Sequence, residues 1–327
     1  MYRDSEGRDV EDICYDLEHV EIVKKSIQEN FDKYFDGFIE TCAGEALDNK
    51  SFHDLQKKLG IPISPNAATD LSQNYKMIIR ESIEEFEKDR QDYIEIFDEE
   101  LLEETLEDDA PSFKSKTLRN ECPIIRKTLN NRSAKELDKY RASFSRADAE
   151  WLLTVVLNLC RFSDEYYSEY DPNTYEDISS YEDMELGILD TEDYTAFGVI
   201  GGGIKTHMLY KIHPSVFPNR SRSALWALWF LTDKQKFGCN TDSEFLMIDI
   251  NKSITQQNYF YPYELFAYYA FVIYELLRDK ASDYSVYIDP DYKYVVVDVF
   301  FEYVAMQHDD EISFLKSQIR DGGMGFA

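Results

Sequence analysis

The chain has 327 residues and, with 64 Asp and Glu against 35 Lys and Arg, a formal net charge of −29. Hydrophobic residues make up 43% and aromatics 15%, which supplies a large core and excludes a chain kept disordered by its charge. The longest apolar runs, "WLLTVVLNLC" (151–160) and "SALWALWFLT" (223–232), span half of the roughly 20 residues that a membrane helix needs, so they read as buried helices with no membrane partner.

The opening "MYRDSEGRDVEDICYD" lacks the basic segment and apolar run of a signal peptide. The cysteines Cys14, Cys42, Cys122, Cys160 and Cys239 are widely spaced, with no CxxC pair and no histidine at metal-ligand spacing. These features predict a cytoplasmic protein with reduced thiols, no cofactor and no metal site.

In chain order, Val10, Ile13, Leu17, Val20, Ile27, Phe31, Tyr34 and Phe38 recur at intervals that predict a helix over 9–44. "SFHDLQKKLG" (51–60) reads as a short helix with Ser51 as its N-cap, followed by the turn "IPISPN". A long helix is expected over 67–108, with Ile79, Ile83, Phe86, Tyr93, Phe97 and Leu101 on one face and acids elsewhere. Pro111 marks its break, and 111–146 is helical after Pro123.

Beyond it, 148–162 reads as a core helix and 163–187, which mixes tyrosine with acid, as a long surface excursion. The segment 243–250 reads as a strand, and 262–277 as a buried helix with Pro262 in its first turn. The valine-rich 289–307 is ambiguous between strand and helix: its valines favour strand, while the Asp289-Pro290 start and the spacing of Asp291, Asp298 and Glu302 lean it to helix. The expected architecture is mainly α, in two helical domains: an acidic one over 1–110, then a basic connector over 111–146. The second, aromatic-rich, covers 147–327 and has room for a small β-element.

Charge alternates in blocks. Residues 81–109 hold 15 acids against two bases, and 164–193 hold 12 acids and no base. Between and after them, 111–146 has ten bases against three acids, and 198–238 has six bases against one acid. Three readings follow: the blocks pair across a domain interface or lie on separate solvated faces, the basic blocks contact phosphate, or the acidic faces are themselves the ligand, mimicking a phosphate backbone or docking, through the 81–109 helix, on a basic protein partner.

The basic island contains "GGGIKTHMLYKI" (201–212). Gly201 to Gly203 permit positive φ, and a helix that opens after them points backbone amides at one spot, which suits an anion. The spacing of Gly201, Gly203, Lys205 and Thr206 resembles the helix-hairpin-helix element of base-excision DNA glycosylases and other DNA-binding proteins, over about 25 residues from Phe197. The resemblance implies that "FGVI" ends a first helix, that main-chain amides bind a DNA phosphate, and that Lys205 stands where bifunctional members carry their nucleophile. It also departs from that family, since Asn219 stands near the place of the catalytic aspartate and no cysteine follows Cys239. An amide cannot act as that carboxylate.

The sequence therefore predicts a non-enzymatic, nucleic-acid-linked protein that contacts phosphate through Gly201, Gly203, Lys205 and Thr206, assisted by Lys211, Arg220 and Arg222. The alternatives are an acidic protein–protein interaction module or inhibitor, and a glycosylase- or nuclease-like enzyme. A nuclease reading would rest on Glu244, Asp249 and Lys252, whose spacing puts the last two on opposite strand faces. His207 and His213, six apart, read as packing histidines, and Tyr259 to Phe271 as aromatic core or a stacking platform for bases.

Overall fold

In the computed structural model, residues 13–41, 70–134, 137–238, 243–249 and 254–321 are described, and the protein is mainly α. The helix of 51–60 and the turn after it lie outside these residues. Helix α1 (Leu17–Glu40) starts where the Asp16 carboxylate accepts the Glu18 amide, a standard N-cap. Its buried face carries Val20, Val23, Ile27, Phe31, Tyr34, Phe35 and Phe38, while Leu17 is exposed.

The long acidic helix expected over 67–108 is three helices: α2 (Leu71–Glu87), α3 (Arg90–Ile96) and α4 (Glu99–Asp108). Its breaks fall at aspartates. Asp98 caps α4 by accepting the Leu101 amide, and Asp89 precedes α3 with its carboxylate turned to Lys211 and Lys127. The restart at Asp98 shifts the helical phase, so Leu102 is buried and Leu101, which a continuous helix would turn inward, is exposed.

One turn of helix at Ala110–Ser112, with Pro111 where it costs no hydrogen bond, runs into a wide-turned helix over Phe113–Glu121. The basic segment continues as α5 (Pro123–Asn130) and α6 (Asp138–Arg146). Helix α7 (Ala149–Ser168) extends past the expected core helix into the acidic stretch, and α8 (Pro172–Glu176) and three 3₁₀ turns follow.

Most of this stretch is exposed, as its acids suggest, but buried side chains pin it to the core. Tyr175, Tyr181, Met184, Leu186 and Leu189 are all buried, and the Tyr175 hydroxyl lies 2.5 Å from that of Tyr294. Helices α9 (Gly202–Ile212) and α10 (Arg222–Leu231) come next, then the antiparallel pair β1 (Leu246–Asp249) and β2 (Ile254–Gln257) in the register Leu246 to Gln257. Helix α11 (Tyr263–Asp283) takes Pro262 as its N-cap residue, one place before the first turn; α12 (Lys293–Met306) and α13 (Asp309–Asp321) complete the chain.

The apolar side chains buried in α1, α2, α7, α10, α11 and α12 belong to one continuous cluster running from Cys14 to Ile312. Helix α10 packs along α12, and α1 against α11 and α2. The Tyr75 hydroxyl, with no water to bond, donates to the Leu277 carbonyl at 3.0 Å. Phe35 is fully buried between Phe31 and Tyr75, with ring centroids at 5.5 and 5.6 Å. We expect Phe35→Ala to destabilise the fold by about 3–5 kcal/mol, measured by urea unfolding followed with circular dichroism.

Candidate phosphate-binding cleft

The island of positive charge is largely internal. Lys205, 2% exposed, donates to the Leu189 carbonyl and to Thr195 Oγ1 (2.8 Å), with an Asp190 carboxylate oxygen at 3.7 Å. Arg220, 4% exposed, donates to the Tyr261 carbonyl, lies over the Tyr263 ring and has Asp190 at 4.0 Å. Lys211 is buried over the Phe86 ring, donates to the Phe86 carbonyl at 2.6 Å and pairs with Asp89 at 2.7 Å. These cations meet Asp190 and Asp89, one carboxylate from each acidic block, while most acids of both blocks stay exposed. An ammonium or guanidinium without such partners could not be held in an apolar interior.

Asp190 also accepts the Tyr263 amide at 2.6 Å, so one carboxylate caps α11 and faces Lys205 and Arg220. Asp89 is held below the usual carboxylate range: burial raises it, but hydrogen bonds and charge from Lys211 and Lys127 outweigh that. Thr206 is buried with its hydroxyl on the Gly202 carbonyl at 2.8 Å, which leaves Arg222 as the exposed side chain among the cations proposed for phosphate.

The glycines act by closeness rather than by the positive φ expected of them. Gly201 has φ −90°, and the left-handed residue nearby is Gly198 at φ 79°. A Cβ on Gly202 would stand 1.6 Å from an Arg220 nitrogen, whereas one on Gly203 would meet the Arg220 carbonyl at an ordinary 3.7 Å. Gly202 is therefore the residue that lets α9 start against the buried guanidinium. Where the resemblance places the end of a first helix, 197–199 form a tight turn closed by a bridge between Ala196 and Ile200.

A cleft of about 970 Å³ opens over this arrangement. Its floor holds the starts of two helices, Gly201 to Ile204 of α9 and Ser221 to Arg222 of α10. Gly201 has no side chain to cap α9 and its carbonyl takes the amides of Ile204 and Lys205, so the amides of Gly202 and Gly203 are left for a ligand. At α10 the Ser221 hydroxyl takes only the Ala224 amide. The walls add Lys127, Tyr140, His207 and Asn219, and the rim adds Phe197, Tyr259 and Phe260, which are 61%, 45% and 65% exposed.

The Tyr140 hydroxyl is buried without a partner, and the Asn219 side chain faces the His207 ring. The Asn219 amide nitrogen is already committed to Asp298 at 3.2 Å, so its oxygen can only receive a donor. His207 is pushed down to about 4 by burial and so is neutral at pH 7. The site can thus accept an anion at the open amides of Gly202 and Gly203. Sequence reasoning found the glycines and the stretch from Phe197 but did not single out Lys127 or Tyr140, which only folding brings beside them.

His213 stacks on Tyr167 at 4.2 Å, and His207 packs edge-on to Tyr93 at 5.6 Å, so both act as packing rings. Of the nuclease-like trio, Glu244 is buried and bonded to Tyr261 at 2.7 Å, while Lys252 and the Asp249 side chain lie outside the described residues. Among the described residues no helix is long and apolar enough to cross a membrane. Comparison with protein-family models, with curated proteins and with solved structures finds no match to this chain.

Two expectations follow. Gly202→Ala displaces Arg220 and costs about 1–3 kcal/mol, while Gly203→Ala is neutral or stabilising by up to about 1 kcal/mol; thermal melts of both variants check this. Burial lowers Lys205 to about 8, partly offset by Asp190 and reinforced by Arg220. The unfolded chain then binds more protons at this residue between pH about 8 and 10.5, so its contribution to stability rises with pH across that window. Unfolding titrations should show the stability of wild type relative to Lys205→Met rising over the same range.

Proposed function

We propose that the protein is a non-enzymatic, nucleic-acid-linked protein of the cytoplasm whose cleft holds a phosphate-bearing nucleotide unit of a single strand. The observation that carries this reading is the convergence of two helix N-termini and Arg222 on one cleft with exposed aromatic rings at its rim. Helix N-termini favour phosphate through free amides and the helix dipole, and Phe197, Tyr259 and Phe260 offer faces on which bases stack.

The cleft's volume lies in the range of roughly 300–1,000 Å³ that accommodates small ligands, and its concavity admits one nucleotide rather than a duplex backbone. Lys205 and Arg220 support the site from within: they hold Asp190 and the 259–261 backbone, and the floor amides and Arg222 meet the phosphate. The remaining acidic surface repels a polyanion, which confines binding to this cleft.

Fluorescence anisotropy with a labelled oligothymidylate at several salt concentrations tests the proposal. Saturable binding is expected, with log K falling against log salt by about 0.7 for each phosphate engaged. Arg222→Glu should weaken binding at least tenfold and flatten that slope, and Phe260→Ala should cost about 1–3 kcal/mol of affinity. Absence of binding at low salt, or equal affinity in wild type and both variants, overturns the reading. A borohydride-trapped adduct between Lys205 and abasic DNA would instead make the protein an enzyme.

A further inference from the structure

On another side of Arg220's anchor lies a cluster that the cleft does not use. Cys14, just before α1, His19, in its first turn, and Glu244, just before β1, are brought together although 225 positions separate His19 from Glu244. One donor atom from each, the thiol sulfur, a ring nitrogen and a carboxylate oxygen, lies within 4.8 Å of the other two. Cys14 and Glu244 are each 1% exposed and the His19 side chain 10%.

The carboxylate is held from behind. Tyr261 donates its hydroxyl to Glu244 Oε1 at 2.7 Å, which leaves Oε2 toward His19 Nε2, and Asn258 Nδ2 bonds the Glu244 carbonyl at 2.9 Å. Such outer hydrogen bonds orient a metal ligand before the metal arrives. Beside them the Tyr269 hydroxyl is fully buried and meets no hydrogen-bond partner.

We propose that Cys14, His19 and Glu244 form a zinc site that fastens the start of α1 to the start of β1. Thiolate, imidazole and carboxylate together suit a borderline-soft cation, and sulfur excludes calcium or magnesium as the preferred occupant. Tetrahedral zinc holds neighbouring ligand atoms roughly 3.3–3.8 Å apart, so His19 Nε2 and Glu244 Oε2, in direct contact here, must separate to admit the ion, while the thiol already lies within 4.8 Å of both. Zinc replaces the direct contact between His19 and Glu244 and neutralises a buried carboxylate. On binding, the Cys14 thiol releases its proton to solvent, and a water completes the coordination beside the Tyr269 hydroxyl.

The test is metal binding to the full chain, read by elemental analysis after dialysis against zinc and by the absorption of the cobalt-substituted protein. About one tightly held equivalent of zinc is expected, with a thiolate-to-cobalt charge-transfer band. Cys14→Ser, shown by circular dichroism to be folded, should lose the band and bind zinc at least a hundredfold more weakly. Tyr261→Phe should keep the band and bind about tenfold more weakly, because it disturbs only the orientation of Glu244. The proposal is overturned if wild type holds no more zinc than folded Cys14→Ser, or if the cobalt spectrum lacks the thiolate band.

Discussion

Asp190 is the group on which the candidate site depends. Its carboxylate lies within 4.0 Å of both Lys205 and Arg220 and accepts the first amide of α11, so four segments meet at one charge. Two buried cations need such a partner, because the interior supplies no water to solvate them. The requirement explains why an acidic, tyrosine-rich stretch folds back onto the protein: Leu189 and Thr195 on either side of Asp190 also bond Lys205. Asp190 thus ties the acidic stretch to the glycine-rich basic island at one point.

From that charge the geometry of the cleft follows. Arg220, held by Asp190 and the Tyr261 carbonyl, occupies the space where a side chain on Gly202 would stand, so α9 must begin with a glycine. A glycine start without a capping side chain leaves amides open, and α10 begins beside it after Ser221. Tyr261 then connects this floor to Glu244 through its hydroxyl while its carbonyl holds Arg220. Tyr261 does not line the cleft, but it bonds both Arg220 beneath it and Glu244 of the cysteine–histidine–glutamate cluster.

Much of the fold is legible in the chain. The periodicity of α1, α7, α10 and α11 follows from a single apolar face or an apolar run, and the valine-rich 289–307 is a helix for the reason that its Asp-Pro start suggests. The acidic helix was legible in character but not in continuity. Aspartates that read as solvated charge instead cap α4 or pair with lysines from distant segments, and those local bonds interrupt the helix. Periodicity averages over such bonds, whereas each one acts at a single residue.

By itself the sequence determined the helical class, the alternation of charge, the small strand near 246 and the place of the glycine turn, because each depends on neighbours within a few positions. The tertiary structure decided which cations face outward, leaving Arg222 exposed while Lys205, Lys211 and Arg220 are buried. It also decided that the glycines serve close approach and that Cys14 and His19 meet Glu244. The reason is physical: the desolvation of a charge and the clash of a Cβ are set by atoms far away along the chain, which no local pattern records.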